Sequence, residues 1–269
     1  MYPLLFHIGR IAIPTYGACT ALALLAALAV SVREARQRGL PSQKVWNLGL
    51  IAILVTLLGG RLLLVATHLA AFRAHPFWVL GLASPAGGWI GVGGAVLGIA
   101  AAVLYALAEG LPLLRTADAA APAFALAFAI NRIGAFFGGI DWGRRTHLPW
   151  GVTYRSIVAY LWYRVPLGVR LHPVQLYDAA CSLLILALLL WMLRSRRHVH
   201  NGEVAGAWLF LYGLCRFFVE FFRGDLAGPV MFSHVFTLAQ VLSLLAVIVG
   251  GILWLQRKPR TETVMQPVA

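Results

Sequence analysis

The chain has 269 residues, of which 61% are hydrophobic and only 12% are charged, against roughly one quarter charged in soluble domains. A globule of this size has too little interior for so much apolar surface, so lipid must cover the rest and a soluble domain is excluded. The net charge of +13 does not indicate nucleic-acid binding. Most basic residues lie in short gaps between apolar runs, the pattern that sets membrane topology.

Seven apolar runs approach or exceed the length of about 20 residues that crosses a bilayer. They lack strand-like alternation, and backbone polar groups cannot be left bare in hydrocarbon, so we predict helices. The predicted spans are residues 14–32, 46–69, 87–108, 119–138, 173–193, 204–223 and 233–255. The predicted fold class is therefore an all-α membrane protein, with one membrane domain over 1–256 and a disordered cytoplasmic tail over 257–269.

The distribution of basic residues predicts the orientation of these spans. Eleven Lys and Arg residues lie in the loops 33–45, 109–118 and 194–202 and in the tail, and seven lie on the opposite side. The side richer in Lys and Arg is expected to be the cytoplasm. We therefore predict an amino terminus outside and a carboxyl terminus in the cytoplasm. The long loop 139–172 then forms a small extracytoplasmic cap.

Ionisable side chains inside apolar spans are costly, so each is a candidate functional residue. Arg61 lies in the second span, Arg132 late in the fourth, and Arg216, Glu220 and Arg223 in the sixth at spacings of four and three. These spacings place the last three on one helical face, where Glu220 can pair with either arginine and leave the other with free donors. Guanidinium groups match phosphate and stay charged when desolvated, which favours recognition of a phospholipid headgroup. The alternative is an ion-pair network that only holds helices together.

Two further segments are unusual for membrane spans. Residues 87–94 contain five glycines in eight positions, which indicates either close helix packing or a bent, re-entrant segment that lines a cavity. The fifth span opens with His172, Gln175, Tyr177 and Asp178 within seven residues. Such a concentration of polar groups indicates a functional site rather than only a helix cap. The sequence contains no metal-ligand spacing, nucleophile elbow or nucleotide-binding glycine loop.

Together these segments resemble the prolipoprotein diacylglyceryl transferase family of bacterial inner-membrane enzymes over residues 5–255. No single motif is decisive, but eight of them occur in the family's order. The matching stretches are Tyr16-Gly17, Leu58-Gly59-Gly60-Arg61, Asp118 with Pro122, Asn131-Arg132-Ile133-Gly134 with Trp142-Gly143, Leu148-Pro149-Trp150-Gly151-Val152, His172-Pro173-Val174-Gln175-Leu176-Tyr177, Tyr212-Gly213 with Arg216 and Glu220-Phe221-Phe222-Arg223, and Gln240-Val241-Leu242-Ser243.

The resemblance implies an activity, partners and site residues. The implied reaction transfers the diacylglyceryl group of phosphatidylglycerol to the lipobox cysteine of prolipoprotein signal peptides and releases glycerol phosphate. It implies a multi-pass monomer in the bacterial inner-membrane bilayer, with no cofactor. Arg132 and Arg216 are the implied catalytic residues, which stabilise the leaving phosphate. The implied substrate-binding residues are Tyr16, Arg61, Gly143, His172, Gln175, Tyr177, Tyr212, Glu220 and Arg223.

The chain departs from the family pattern at the proposed acid–base position. Val92 stands where the family carries histidine or tyrosine, and the usual acid before Trp-Gly is displaced, with Asp141 nearest. His172 and Asp141 are the candidate replacements for the base. Two alternative functions follow. One is a non-catalytic phospholipid- or lipopeptide-binding relative, favoured by Val92. The other is a related diacylglyceryl transferase with a different acceptor, which the altered glycine-rich segment fits.

Overall fold

The computed structural model describes residues 2–8, 11–74, 88–195, 200–225, 230–231 and 236–256. The α-helices in these ranges are α1 Thr15–Gln37, α2 Ser42–Thr67, α3 Leu69–Ala74, α4 Gly88–Ala108, α5 Leu113–Gly138, α6 Ile157–Tyr163, α7 Val174–Ser195, α8 Glu203–Val219 and α9 Leu238–Leu255, and a 3₁₀ helix covers Glu220–Phe222. Antiparallel strand pairs join β1 Leu4–Ile8 to β2 Ile11–Pro14, β3 Val152–Thr153 to β4 Arg170–Leu171, and β5 Val230–Met231 to β6 Phe236–Thr237.

Seven helices of the described ranges are long and apolar enough to cross a membrane, namely α1, α2, α4, α5, α7, α9 and α8 with its 3₁₀ extension. This confirms the predicted seven-helix membrane fold, although the boundaries differ. α1 continues beyond its apolar run to Gln37, and α5 begins before its apolar run, at Leu113. The reason is that the backbone hydrogen bonds of each helix continue past the apolar run into the membrane–water interface. α9 begins at Leu238 rather than at 233. The tail 257–269 lies outside the described residues.

α9 begins where its first residues cap the helix. The side chain of Thr237 accepts from the backbone N–H of Gln240 at 3.2 Å, and the side chain of Gln240 accepts from the backbone N–H of Thr237 at 3.0 Å. This reciprocal capping box satisfies two N–H groups that would otherwise lack partners at the helix end. It fixes Thr237 at the end of the bundle that carries the candidate site.

α5 lies at the centre of the bundle and packs against α1, α7 and α8. Its buried face consists largely of alanines, and small side chains let neighbouring helices approach closely without hydrophobic bulk between them. These alanines are Ala119, Ala121, Ala123, Ala125, Ala129 and Ala135. Where α5 meets α7 and α8, larger side chains including Ile185, Leu189, Met192 and Val204 complete the core. α5 is therefore placed to present residues near its end to three other helices.

α4 packs on α2 through glycines. A Cβ on Gly94 would lie 2.7 Å from the carbonyl oxygen of Thr56 and 3.0 Å from Cα of Gly60, and a Cβ on Gly98 would lie 2.8 Å from the carbonyl oxygen of Ala52. A side chain at either position would push the helices apart, which confirms helix packing for this part of the glycine-rich segment. Residues 88–94 belong to the long helix α4 and are not re-entrant, although Ile90, Gly91 and Gly94 do line a cleft against α2. Residue 87 lies outside the described residues.

One end of the bundle is tied together by Asp118 at the start of α5. Its carboxylate accepts from the N–H groups of Gly202 at 2.8 Å and Ala205 at 2.9 Å, and it lies 3.9 Å from Nη1 of Arg38. Asp118 lies on α5 and thus provides hydrogen-bond acceptors for the backbone N–H groups at the start of a different helix, α8. These contacts join the three loops predicted to be cytoplasmic, so the three loops lie at one end of the bundle. The predicted topology, in which successive loops alternate between the two sides of the membrane, requires this arrangement.

The opposite end carries the segment 139–172, which folds around its own small core. Tyr154, Ala159, Val165 and Leu171 are buried against one another there, with α6 and the β3–β4 pair around them. The predicted cap is therefore a folded unit that follows the end of α5.

Candidate functional site

A closed ring of six charged side chains lies at the cap end of the bundle. Each carboxylate contacts two guanidinium groups, and each guanidinium contacts two of these carboxylates. In order around this charged ring, the members are Arg132, Asp141, Arg223, Glu220, Arg216 and Asp178. They come from three stretches of the chain, namely α5 with the loop after it, α7, and α8 with the 3₁₀ turn and the residue that follows it. All three stretches must therefore be in place for the ring to form.

The inner half of the charged ring is centred on Asp178 of α7. Its Oδ2 lies 3.3 Å from Nε of Arg132 and 3.2 Å from Nη1 of Arg216. Arg216 also places Nη2 2.6 Å from Oε2 of Glu220. Buried charges are tolerated only when they are paired and hydrogen-bonded. Asp178 therefore holds two guanidinium groups, which would otherwise repel, side by side.

The outer half of the charged ring is centred on Asp141. One carboxylate oxygen of Asp141 pairs with Arg132, and the other accepts from Nη2 of Arg223 at 3.2 Å. Arg223 is also bound through Nε to Oδ1 of Asp225 at 3.0 Å. Burial alone would raise the pKa of Asp141, but the charges of Arg132 and Arg223 outweigh it and hold the pKa below its ordinary value. Asp141 is therefore ionised at neutral pH.

Glu220 contacts both of its neighbouring arginines, so the expectation that it pairs with one and leaves the other is wrong. The reason lies in the local backbone. α8 ends at Val219, a 3₁₀ turn follows, and Arg223 is extended with φ −70° and ψ 139°. A continuous helix would have kept Arg223 on one face with Arg216. The extended conformation instead lets Arg223 reach Glu220 and Asp141 together.

Two tyrosines among the predicted site residues pack against α5. The Tyr212 phenol lies near the Arg132 guanidinium, and its ring lies 4.7 Å from Phe128 and 5.6 Å from Trp208. Tyr16 of α1 packs against the last turn of α5, where a Cβ on Gly138 would be 3.5 Å from its Cβ. Tyr212 therefore lies beside Arg132, and Tyr16 supports the start of the loop that carries Asp141.

An aromatic cluster formed by His172, Tyr177, Trp150 and Phe222 adjoins the charged ring. Nε1 of Trp150 donates to the Tyr177 hydroxyl at 2.9 Å, and Nδ1 of His172 lies 3.2 Å from the same oxygen. Phe222, which directly precedes Arg223, places its ring 5.1 Å from His172. Burial lowers the pKa of His172 below its ordinary 6.5, so its imidazole is neutral at pH 7.

Gly143 and Gln175 attach the cap to the helices beneath it. A Cβ on Gly143 would lie 2.3 Å from the carbonyl oxygen of His172, and Gly143 forms a β-bridge with Arg223. Nε2 of the buried Gln175 donates to the carbonyl oxygen of Ile140 at 2.6 Å. The family resemblance implies that both residues bind substrate. The structure shows them holding the loop that presents Asp141.

Arg61 lies on a different pair of helices from the charged ring. It lines a cleft of about 250 Å³ between α2 and α4, together with Thr56, Leu57, Gly60, Leu64, Ile90, Gly91 and Gly94. Arg61 is not a member of the charged ring, and its expected role in substrate binding stays a prediction. Val92 follows Gly91 on α4, and 38% of its surface is exposed.

Two residues of this site are not singled out by the sequence, and a third, Asp178, is singled out without an assigned role. Asp178 belongs to the polar group that opens the fifth span, and an ionisable side chain inside an apolar span is a usable signal for a site residue. Asp225 gives no such signal, and neither does Thr237, whose hydroxyl donates to Oε1 of Glu220 at 3.2 Å. Within the described part of the chain, no three His, Cys, Asp or Glu side chains form a group that could hold a metal ion.

Comparisons with known proteins match nearly the whole chain. The family model described as prolipoprotein diacylglyceryl transferase matches residues 3–256. The phosphatidylglycerol–prolipoprotein diacylglyceryl transferase of Clostridium tetani is 31% identical over 250 residues, which cover 93% of this chain and 95% of that protein. The proteins of the same name from Geobacter sulfurreducens and Idiomarina loihiensis are each 32% identical, over 90% and 97% of this chain and 89% and 95% of their own lengths.

Proposed function

Because the chain belongs to the prolipoprotein diacylglyceryl transferase family, we propose that its charged ring binds the headgroup phosphate of phosphatidylglycerol during diacylglyceryl transfer. The protein is a multi-pass membrane transferase of lipoprotein maturation. A non-catalytic binder and a transferase with a different acceptor are not favoured, because relatives over nearly the full length are named as this transferase. The observation that carries the proposal is the set of three guanidinium groups held in one ring.

The reaction explains why three arginines are useful. The thiolate sulfur of the acceptor cysteine attacks the glyceryl carbon that bears the phosphate, so that a C–S bond forms as the C–O bond breaks. The electron pair of that bond stays on the phosphate oxygen, and the thiol proton passes to a base. Glycerol phosphate leaves with more negative charge than the phosphodiester carried. Guanidinium groups fixed before the reaction stabilise that charge as it develops, and we assign this role to Arg132 and Arg216, while Arg223 binds the same phosphate.

Of the two candidate bases, His172 fits better than Asp141. Both carboxylate oxygens of Asp141 are engaged by arginines, which makes it a weak proton acceptor. His172 is neutral, and its Nδ1 is oriented by the Tyr177 hydroxyl. Its Nε2 makes no hydrogen bond with the residues that the structure describes. We propose that Nε2 of His172 accepts the thiol proton.

We expect wild-type protein, incubated with phosphatidylglycerol and a lipobox peptide, to form a diacylglyceryl thioether detectable by mass spectrometry. His172→Gln is expected to slow transfer about 10²-fold at pH 7, the lower end of general-base contributions. The difference should shrink towards pH 9, where more of the cysteine is already thiolate. Wild-type activity should fall as the pH drops through the pKa of His172, because the protonated imidazole cannot accept a proton.

The matched control is His147→Gln, an exposed histidine of the same cap, which should leave the rate unchanged. Equal rates for wild type and His172→Gln at pH 7 would remove His172 as the base. No thioether from the wild-type protein at any pH would contradict the transferase function itself.

We also propose the predicted orientation, with the amino terminus and the cap outside. A reporter fused after Arg197 is expected to give a cytoplasmic signal, and one inserted near Arg164 an external signal, because the loops richer in Lys and Arg remain inside. Residues 1–256 then form one membrane domain, and 257–269 a cytoplasmic tail. Inverted signals from both reporters would overturn the orientation.

We also propose an acceptor and an assembly state. The acceptor that we propose is the lipobox cysteine of prolipoprotein signal peptides, because the relatives are named as transferases that act on prolipoproteins. We propose a monomer, because a single chain supplies all six members of the charged ring.

A further inference from the structure

Asp141 has the chemical features of the group that the ring is proposed to bind. Its carboxylate carries one negative charge and offers one oxygen to Arg132 and the other to Arg223. A phosphodiester also carries one negative charge and has two non-bridging oxygens that accept from guanidinium groups in a fork-like arrangement. A phosphodiester can therefore occupy the position of this carboxylate and keep both arginines paired.

Among the three carboxylates of the charged ring, Asp141 is the one placed to move. Its side chain is 28% exposed, whereas those of Asp178 and Glu220 are 6% and 3% exposed. It lies in the loop after α5 rather than in a membrane helix or the turn that follows one. Its backbone is in the left-handed region with φ 53°, which aspartate and asparagine adopt more often than most other residues with a side chain. The carboxylate of Asp141 is therefore the most accessible of the three to an incoming anion.

The charge balance also favours an exchange. Arg132, Arg216 and Arg223 contribute +3, and their partners Asp141, Asp178, Glu220 and Asp225 contribute −4, so the cluster carries −1. Replacing the Asp141 carboxylate by a phosphodiester leaves this value at −1. The product is a phosphate monoester with about −1.5 to −2 charges. It binds guanidinium groups more strongly than the substrate, so its release calls for a competing anion.

We propose that Asp141 competes with the substrate and product phosphate for Arg132 and Arg223. In the absence of lipid the carboxylate occupies the phosphate position. It yields to the headgroup when phosphatidylglycerol binds, and its return displaces glycerol phosphate after transfer. This inference rests on the proposed function of the charged ring as the phosphate site.

The test measures binding of glycerol 1-phosphate to the purified full-length protein by isothermal titration calorimetry. Asp141→Asn removes the charge but keeps the size and the tolerance of a left-handed backbone. If the carboxylate fills the site about nine-tenths of the time, its removal should lower the apparent Kd about tenfold. In the transfer assay, Asp141→Asn should lower both KM for phosphatidylglycerol and kcat, because product leaves more slowly.

Asp225→Asn is the matched control, since it changes the charge of the cluster equally but removes a carboxylate that contacts Arg223 and neither Arg132 nor Arg216. It should shift the Kd less than about threefold. Asp141→Gly is a second variant in case the asparagine protein is unstable, because glycine adopts this φ freely.

If Asp141→Asn and Asp225→Asn lowered the Kd for glycerol 1-phosphate equally, the effect would come from net charge alone. The proposed competition would then be wrong. Weaker binding by both Asp141 variants would overturn it too, since Asp141 would then position the arginines. If none of these proteins bound glycerol 1-phosphate, the proposed phosphate site itself would fail, a result distinct from either of the others.

Discussion

Arg132→Lys is expected to slow diacylglyceryl transfer by about 10²–10³-fold, the range for removing one fixed donor that stabilises a developing oxyanion. Arg132 uses its planar guanidinium to contact Asp141 and Asp178 together. Lysine keeps the charge, but its ammonium is a point donor that cannot span these partners. Phosphatidylglycerol binding should weaken as well, which a titration with lipid in nanodiscs would measure.

The control for this substitution is Arg155→Lys, an exposed arginine of the cap, which should retain the wild-type rate and affinity. Equal phosphatidylglycerol binding by wild type and Arg132→Lys would remove Arg132 from the headgroup site. A lost rate with unchanged lipid binding would instead place its role in the transition state alone.

Asp178→Ala is expected to lower the free energy of unfolding by about 3–5 kcal/mol, the range for removing one partner of a buried ion pair. Asp178 is the carboxylate shared by Arg132 and Arg216. Without it, two buried guanidinium groups face each other with no charge between them. Thermal unfolding in detergent would show the loss as a lower midpoint, and transfer activity should fall with it.

Ser182→Ala, one turn further along the buried face of α7, provides the comparison. It removes a polar atom at a similarly buried position without changing a charge, so its effect should be much smaller. Equal midpoints for the two variants would mean that the inner half of the charged ring does not contribute to stability.

The parts of the site that could not be predicted depend on contacts between residues that are distant in sequence. Asp141 and Arg223 are 82 positions apart, and Arg216 and Asp178 are 38 positions apart. Their pairing depends on the rotation of each helix and on the turn that ends α8. These are properties of packing that a pattern of residue types does not contain. The same packing put Arg61 on another helix pair and set Gln175 beneath the cap loop.

The sequence by itself determined the features that depend on local chemistry. Seven apolar runs predicted seven membrane helices, because the thickness of a bilayer sets the length of each run. The cost of a charge in hydrocarbon identified Arg132, Arg216, Glu220 and Arg223 from residue type and position alone. Only the tertiary structure decided that these residues alternate with Asp141 and Asp178 in a closed ring. Ion pairing depends on the distance between atoms in space, and that distance is fixed only when α5, α7, α8 and the cap loop pack together.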